Sequence, residues 1–160
     1  MNRLKFLAIL VAVFFASVAA AAAPLLALDK VGAAKLADPA SHTKPTIVTL
    51  WSLDCVYCKK NLKLFAEMAK ANPGLKVITV AVEPVSDELA EPLDRLAVPG
   101  ARYAYGDASP EALAYALDPK WRGELPRTML IDGRGGKKTV SGVVAEADAR
   151  GALGLAGVRN

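Results

Sequence analysis

Cys55 and Cys58 are the only cysteines among the 160 residues, and they sit two residues apart at the junction of two different patterns. Before them, Thr46-Ile47-Val48-Thr49-Leu50-Trp51 is β-branched and apolar, the composition of a buried strand. After them, Lys59 to Ala71 carries Leu62, Phe65, Ala66 and Ala69 at helical spacing and stops at Asn72-Pro73-Gly74. A strand that feeds a helix through so short a joint, with a cysteine pair at the helix start, has few arrangements open to it. Asp54 stands at the position expected for the N-cap, with Cys55 opening the first turn.

That arrangement suits reversible disulfide chemistry. The thiolate is the nucleophile in thiol–disulfide exchange. Unpaired N–H groups and the dipole at a helix N-terminus stabilise it. Cys55, nearest the terminus, is the expected attacking cysteine, and Cys58, one turn in, the expected resolving one. A carboxylate on Asp54 disfavours a second negative charge beside it. The expected pKa of Cys55 is therefore only modestly lowered, to ~7 rather than the ~3.5 of the most acidic reactive cysteines, which fits a reductant. Asp54 also reads simply as a helix cap. Lys59, Lys60 and Lys63 form the only local basic cluster, read either as a solvated helix face or as help for the thiolate. Trp51 reads as core packing beneath the cysteines.

The rest of the chain alternates strand and helix patterns. Pro24 to Lys44 is polar and Ala-rich, with a short helix expected near Val31 to Ala37. Lys76 to Val82 is a second buried strand, ended by Glu83-Pro84. Ser86 to Ala97 reads as a helix capped by Ser86, with Leu89, Leu93 and Leu96 on one face and Pro92 kinking or dividing it. Val98 to Tyr105 holds a short strand, and Ser109-Pro110-Glu111 starts a helix running to about Leu117. Thr128 to Asp132 is a strand, Gly133 to Gly136 a turn, Lys137 to Val143 its hairpin partner, and Ala145 to Leu155 a last helix. The two strands joined by the helix after Cys58 should be parallel. If so, Glu83 ends its strand on the same side as Cys55, as a proton shuttle for Cys58 or as an ordinary polar strand end.

The N-terminus reads as a leader. Met1-Asn2-Arg3-Leu4-Lys5 is basic, Phe6 to Ala23 is apolar or small, and Ala19 to Ala23 offers several A-x-A cleavage patterns. Residues 1–23 are thus a signal peptide or, alternatively, an uncleaved membrane anchor. Residues 24–45 are an N-terminal extension, and 46–160 the folded domain. Losing Arg3 and Lys5 takes the net charge from +4 to +2, and no basic stripe interleaved with aromatics suggests nucleic acid. Either reading of the leader puts the domain in the periplasm or outside the cell.

The order of these elements resembles the thioredoxin fold, and more narrowly the secreted TlpA/ResA-like thiol-disulfide oxidoreductases. Two segments carry the match. One is Thr49-Leu50-Trp51-Ser52-Leu53-Asp54-Cys55-Val56-Tyr57-Cys58, and the other runs from Gly123-Glu124-Leu125-Pro126-Arg127 to Thr128-Met129-Leu130-Ile131-Asp132-Gly133. The second follows the family's G-x-P-x-T, three hydrophobics, D-x-x-G pattern, with one extra residue after the glycine. Resemblance spans roughly Thr46 to Leu155. It implies an α/β fold with a central mixed sheet of four to five strands flanked by helices. It also implies a cis-proline at Pro126 facing the disulfide, with the Leu125 backbone free to pair with an extended substrate; an ordinary trans proline opening a strand is the alternative. Arg127 would contact acidic substrates or face solvent. Two departures bear on redox potential. Asp54 stands where the family usually has a second tryptophan, and Val56-Tyr57 is an uncommon dipeptide between the cysteines.

The expected function is a secreted or periplasmic thiol-disulfide oxidoreductase, a reductase by direction. It would need no cofactor beyond the Cys55–Cys58 pair and no metal. Its partners would be protein thiols and disulfides, apocytochrome among them, with a membrane thiol as electron donor. Two alternatives use the same pair. A metal carrier would need ligands beyond the cysteines, and only His42 is available. A non-catalytic binding protein could hold a structural bridge, though so short a loop stabilises little on the loop-entropy model.

Overall fold

The structure, a computed structural model, describes residues 23–155. All but the last residue of the expected leader lies outside the described residues. Six strands form one mixed sheet: β1 (Leu25–Leu28), β2 (Thr46–Trp51), β3 (Lys76–Pro84), β4 (Ala101–Tyr105), β5 (Arg127–Ile131) and β6 (Lys137–Ser141), in the order β1-β4-β3-β2-β5-β6. β1, β4, β3 and β2 run parallel, β5 is antiparallel to β2, and β6 turns back antiparallel to β5. The helices are α1 (Lys30–Ala37), α2 (Val56–Ala71), α3 (Ala90–Arg95), α4 (Pro110–Leu117) and α5 (Glu146–Leu153).

Both faces of the sheet are covered, which is why β2 and β3 read as near-continuous apolar runs. Along β2, Ile47 and Trp51 face a core shared with Leu62 and Phe65 of α2, Leu93 of α3 and Leu153 of α5. Val48 and Leu50 face the opposite core, with Leu36 of α1 and Leu113 and Leu117 of α4. All six β2 residues are buried.

The sheet has one more strand than four to five because residues 24–45 are part of it. Leu25–Leu28 pairs in parallel with Arg102–Tyr105, and Leu28 is buried. Asp29 then caps α1 by accepting a hydrogen bond from the Gly32 N–H at 2.6 Å. The expected helix over Ser86–Ala97 is divided, but ahead of Pro92. A 3-10 turn over Asp87–Leu89 precedes α3, and Ser86 precedes that turn with no side-chain cap bond. Pro92 lies in the first turn of α3, where backbone N–H groups lack intrahelical partners and a missing one costs little.

The loop leading into β5 is held by charge. Arg127 donates from Nε (3.1 Å) and Nη2 (2.6 Å) to Asp118 Oδ2, and from Nη1 to Glu124 Oε1 (3.2 Å) and to Ser141 Oγ. Trp121 Nε1 donates to the Glu124 carbonyl at 2.7 Å. Arg127 is thus neither solvent-facing nor available to a substrate. Burial alone would raise the Asp118 carboxyl, but the Arg127 guanidinium and the Lys120 N–H outweigh it and hold its pKa below the ordinary value.

Two outcomes follow for stability. Leu28→Ala should cost about 2–5 kcal/mol, read as a lower urea midpoint, because β1 belongs to the core; a change of a few tenths would return β1 to a loose extension. A depressed carboxyl contributes stability above its unfolded pKa and loses it as pH falls. Arg127→Ala should therefore lower stability by about 1–3 kcal/mol at pH 7. It should also flatten the loss that the wild-type chain shows between pH 5 and 3, as measured by urea unfolding at each pH.

Candidate functional site

The site is assembled at the end of β2. Ser52 to Cys55 makes a turn in which the Cys55 N–H donates to the Ser52 carbonyl at 3.2 Å. The helix then begins at Val56, and the Lys59 N–H reaches the Cys55 carbonyl. Cys55, not Asp54, is therefore the N-cap: its Sγ accepts a hydrogen bond from the Cys58 N–H at 3.1 Å. Asp54 lies in the turn before it, exposed to solvent and without a side-chain hydrogen bond. The cap moves by one residue because the turn closes on Cys55, leaving Asp54 outside the helix.

Cys55 and Cys58 are joined in a disulfide with Cα atoms 5.2 Å apart. Cys55 is half-buried, whereas Cys58 is 1% exposed and packs into the core with Trp51 and Leu62. Val56 and Tyr57 between them stand out at 67% and 58% exposure. Lys60 Nζ lies 5.0 Å from the Tyr57 ring centroid, and Lys63 pairs with Glu67 along the helix. Trp51 is fully buried beneath the site, its indole N–H without a hydrogen-bond partner.

Glu83 reaches the same place from β3. Trp51 pairs with Ala81, so the C-terminal ends of the two parallel strands meet. Against β4, Ala81 pairs with Ala104 and Pro84 with Tyr105, which leaves Val82 and Glu83 in an irregularity. Bulges of this kind re-aim side chains. Glu83 Oε1 accepts from the Leu53 N–H at 2.8 Å, two residues before Cys55, while its Oε2 is buried without a partner. A buried carboxyl oxygen without a hydrogen-bond partner is uncommon in a folded protein.

The third contributor is the start of β5. Leu50 pairs with Arg127, which sets Pro126 opposite the end of β2. The Leu125–Pro126 peptide bond is cis. Pro126 is buried, and Leu125 packs against both cores. The Pro126 carbonyl accepts from the Gly142 N–H at 2.9 Å. The structure thus gathers Cys55, Cys58, Trp51, Glu83, Leu125 and Pro126 at one end of the sheet.

One residue there escaped the sequence reading. Asn61 is fully buried one turn after Cys58, with both ends of its amide hydrogen-bonded to residues 142–144. A polar residue three positions past Cys58, between it and Leu62 and Phe65 on the apolar face of the helix, is the signal that would have found it. His42 precedes β2, at the opposite end of the strand from Cys55, and its Nε2 contacts the Leu36 carbonyl at 3.0 Å. Among the described residues, no group of three or more His, Cys, Asp or Glu side chains is placed to hold a metal ion.

No family model and no curated protein sequence matches the chain. Solved structures do. The thioredoxin-related protein from Neisseria meningitidis serogroup B is similar at 24% identity and a TM-score of 0.55, over 71% of this chain and 84% of that one. A secreted Mycobacterium tuberculosis disulfide oxidoreductase homologous to E. coli DsbE is similar at 16% identity and a TM-score of 0.54, over 71% and 82%. A DsbF homologue from Corynebacterium diphtheriae is similar at 14% identity and a TM-score of 0.56, over 71% and 72%. With its mixed sheet covered on both faces and its Cys55–Cys58 pair at the start of α2, the chain has the thioredoxin-like fold of these neighbours.

Proposed function

We propose that this protein is a thiol-disulfide oxidoreductase acting on protein cysteines in the periplasm or outside the cell. The observation that carries the reading is the Cys58 N–H donating to Cys55 Sγ at the N-cap of a sixteen-residue helix. That bond and the helix dipole favour negative charge on the half-buried sulfur, while Cys58 stays shielded. Similarity to solved structures, including that of a secreted disulfide oxidoreductase from Mycobacterium tuberculosis, supports the same chemistry and the same side of the membrane.

In the reducing direction, the Cys55 thiolate attacks one sulfur of a client disulfide. The client S–S bond breaks, a mixed disulfide forms and one client thiolate leaves. Cys58 then gives up its proton and attacks Cys55 Sγ, releasing the second client thiolate. The client gains two electrons, the protein is left as the Cys55–Cys58 disulfide, and a membrane dithiol donor returns it to the reduced form. Apocytochrome thiols belong to the client class that the TlpA/ResA-like resemblance suggests, and the leader over residues 1–23 delivers or tethers the domain. Glu83 takes the Cys58 proton: its Oε1 is fixed by the Leu53 N–H, and its buried Oε2 has acceptor capacity left.

The test is the equilibrium potential of the Cys55–Cys58 pair in thiol buffers, on protein lacking residues 1–23. A reductase should come out near the ~−270 mV of thioredoxin. A value near the ~−120 mV of DsbA would reverse the direction, and a pair that never exchanges would leave only a structural bridge. Cys58→Ser should accumulate mixed disulfide through Cys55, and Cys55→Ser should not.

For Glu83, the variant Glu83→Gln keeps the Leu53 bond and removes the base. Release of the mixed disulfide should slow by about 10²-fold at pH 7. The gap should close as pH rises, because Cys58 then ionises without help. Equal rates across pH would remove Glu83 from the mechanism.

A further inference from the structure

The helix that carries the cysteines is bonded to the Pro126 loop through one buried side chain. Asn61 is 0% exposed. Its Nδ2 donates to the Gly142 carbonyl at 3.1 Å, and its Oδ1 accepts from the Val144 N–H at 3.0 Å. Gly142 then donates its own N–H to the Pro126 carbonyl at 2.9 Å. The path from α2 to Pro126 therefore runs through a single intermediate residue. Gly142 has φ +87°, while an added Cβ would meet nothing within 4 Å, so the backbone conformation rather than space asks for glycine there.

Packing alone does not account for Asn61. Its neighbours on that face of α2, Leu62, Phe65 and Met68, are apolar, and an aliphatic side chain would be covered there without any amide to satisfy. What the amide adds is direction. It meets one donor and one acceptor on the same short segment, so that segment cannot slide along α2 without breaking both bonds. Residues 142–144 in turn hold the Pro126 carbonyl.

We infer that Asn61 is a positioning residue for client exchange. It sets Pro126 and Leu125 relative to the cysteine helix, so that an extended client segment lying along them presents its sulfur to Cys55. The inference rests on the oxidoreductase reading above and adds to it a residue that acts on large substrates only. A small dithiol needs the Cys55–Cys58 sulfurs and nothing of the Pro126 loop. A protein disulfide needs both.

The experiment compares two reactions in Asn61→Leu and in Gly142→Ala. The first substitution removes both amide bonds to residues 142–144 without placing a charge beside the cysteines. The second leaves Asn61 intact and disturbs the left-handed backbone. Both variants are assayed at a temperature where circular dichroism reports them folded. Reduced protein reacts with insulin as the protein disulfide, and dithiothreitol reduces the Cys55–Cys58 bond as the small-thiol control. Misplacing reacting groups by an ångström costs on the order of 10²-fold, so the insulin rate should fall by about 10–10²-fold. The dithiothreitol rate and the equilibrium potential should stay at wild-type values. Equal losses in both reactions, an unchanged insulin rate, or failure of both variants to fold would each overturn the inference and leave Asn61 a structural residue. A wild-type protein that reacts with dithiothreitol but not with insulin would instead overturn the oxidoreductase reading, and this one with it.

Discussion

Strand β2 has no exposed side. Its six residues are buried between two cores, with Ile47 and Trp51 committed to one and Val48 and Leu50 to the other. A slip of one residue would send every one of these side chains to the wrong face, so the register against both neighbours is fixed. Because β3 is parallel to β2 and β5 antiparallel, three chain segments remote in sequence meet at one place. The end of β2 delivers Cys55, the end of β3 delivers Glu83, and the start of β5 delivers Pro126. No loop has to find these partners, since the ladder brings them together.

At that meeting point, local electrostatics is a contest of small terms. A helix N-terminus is worth about 0.3–1 kcal/mol to a negative charge. An exposed carboxylate such as Asp54 opposes it, screened by water and salt. The Cys58 N–H meets Cys55 Sγ in the disulfide, and once Cys55 is reduced to the thiolate the same donor would bond a charged group, which contributes about 1.5–3 kcal/mol. For the thiolate the cap is therefore the larger contribution. Had Asp54 been the cap, its carboxylate would have taken the orphan N–H groups and left Cys55 without them.

Much of this was legible in the sequence, and the gaps have physical causes. Thr46–Trp51 announces itself because a strand buried on both faces draws on β-branched and apolar residues, and Pro126 because it stands directly before Arg127–Ile131, another largely buried strand. β1 is hidden because only Pro24 separates Leu25–Leu28 from the apolar Ala-rich leader, so the short apolar run reads as a continuation of it. The sequence points to Asp54 as the cap because Asp is the better intrinsic N-cap, whereas the turn that selects Cys55 depends on the Ser52 carbonyl. Arg127 looked like a surface or substrate-facing charge because its partners, Asp118 and Ser141, are brought to it only by the fold. Asn61 gave no local signal of its partners, since Gly142 and Val144 lie some eighty residues away.

The Pro126 loop is gripped from two sides, and the two grips differ in kind. Toward the rim, Arg127 binds Asp118, Glu124 and Ser141, with Glu124 largely open to water, so part of that grip weakens with salt and acid. Toward the core, Gly142 and Asn61 bond through uncharged groups, and the Asn61 amide is fully buried. Those bonds feel neither salt nor pH. The charged side ties the loop to the β5–β6 hairpin, and the buried side ties the hairpin's end to the helix bearing the cysteines. The pairing of β5 with β2 sets Pro126 beside the end of β2, and the neutral contacts add a second link, running directly from the proline to the helix that bears the cysteines.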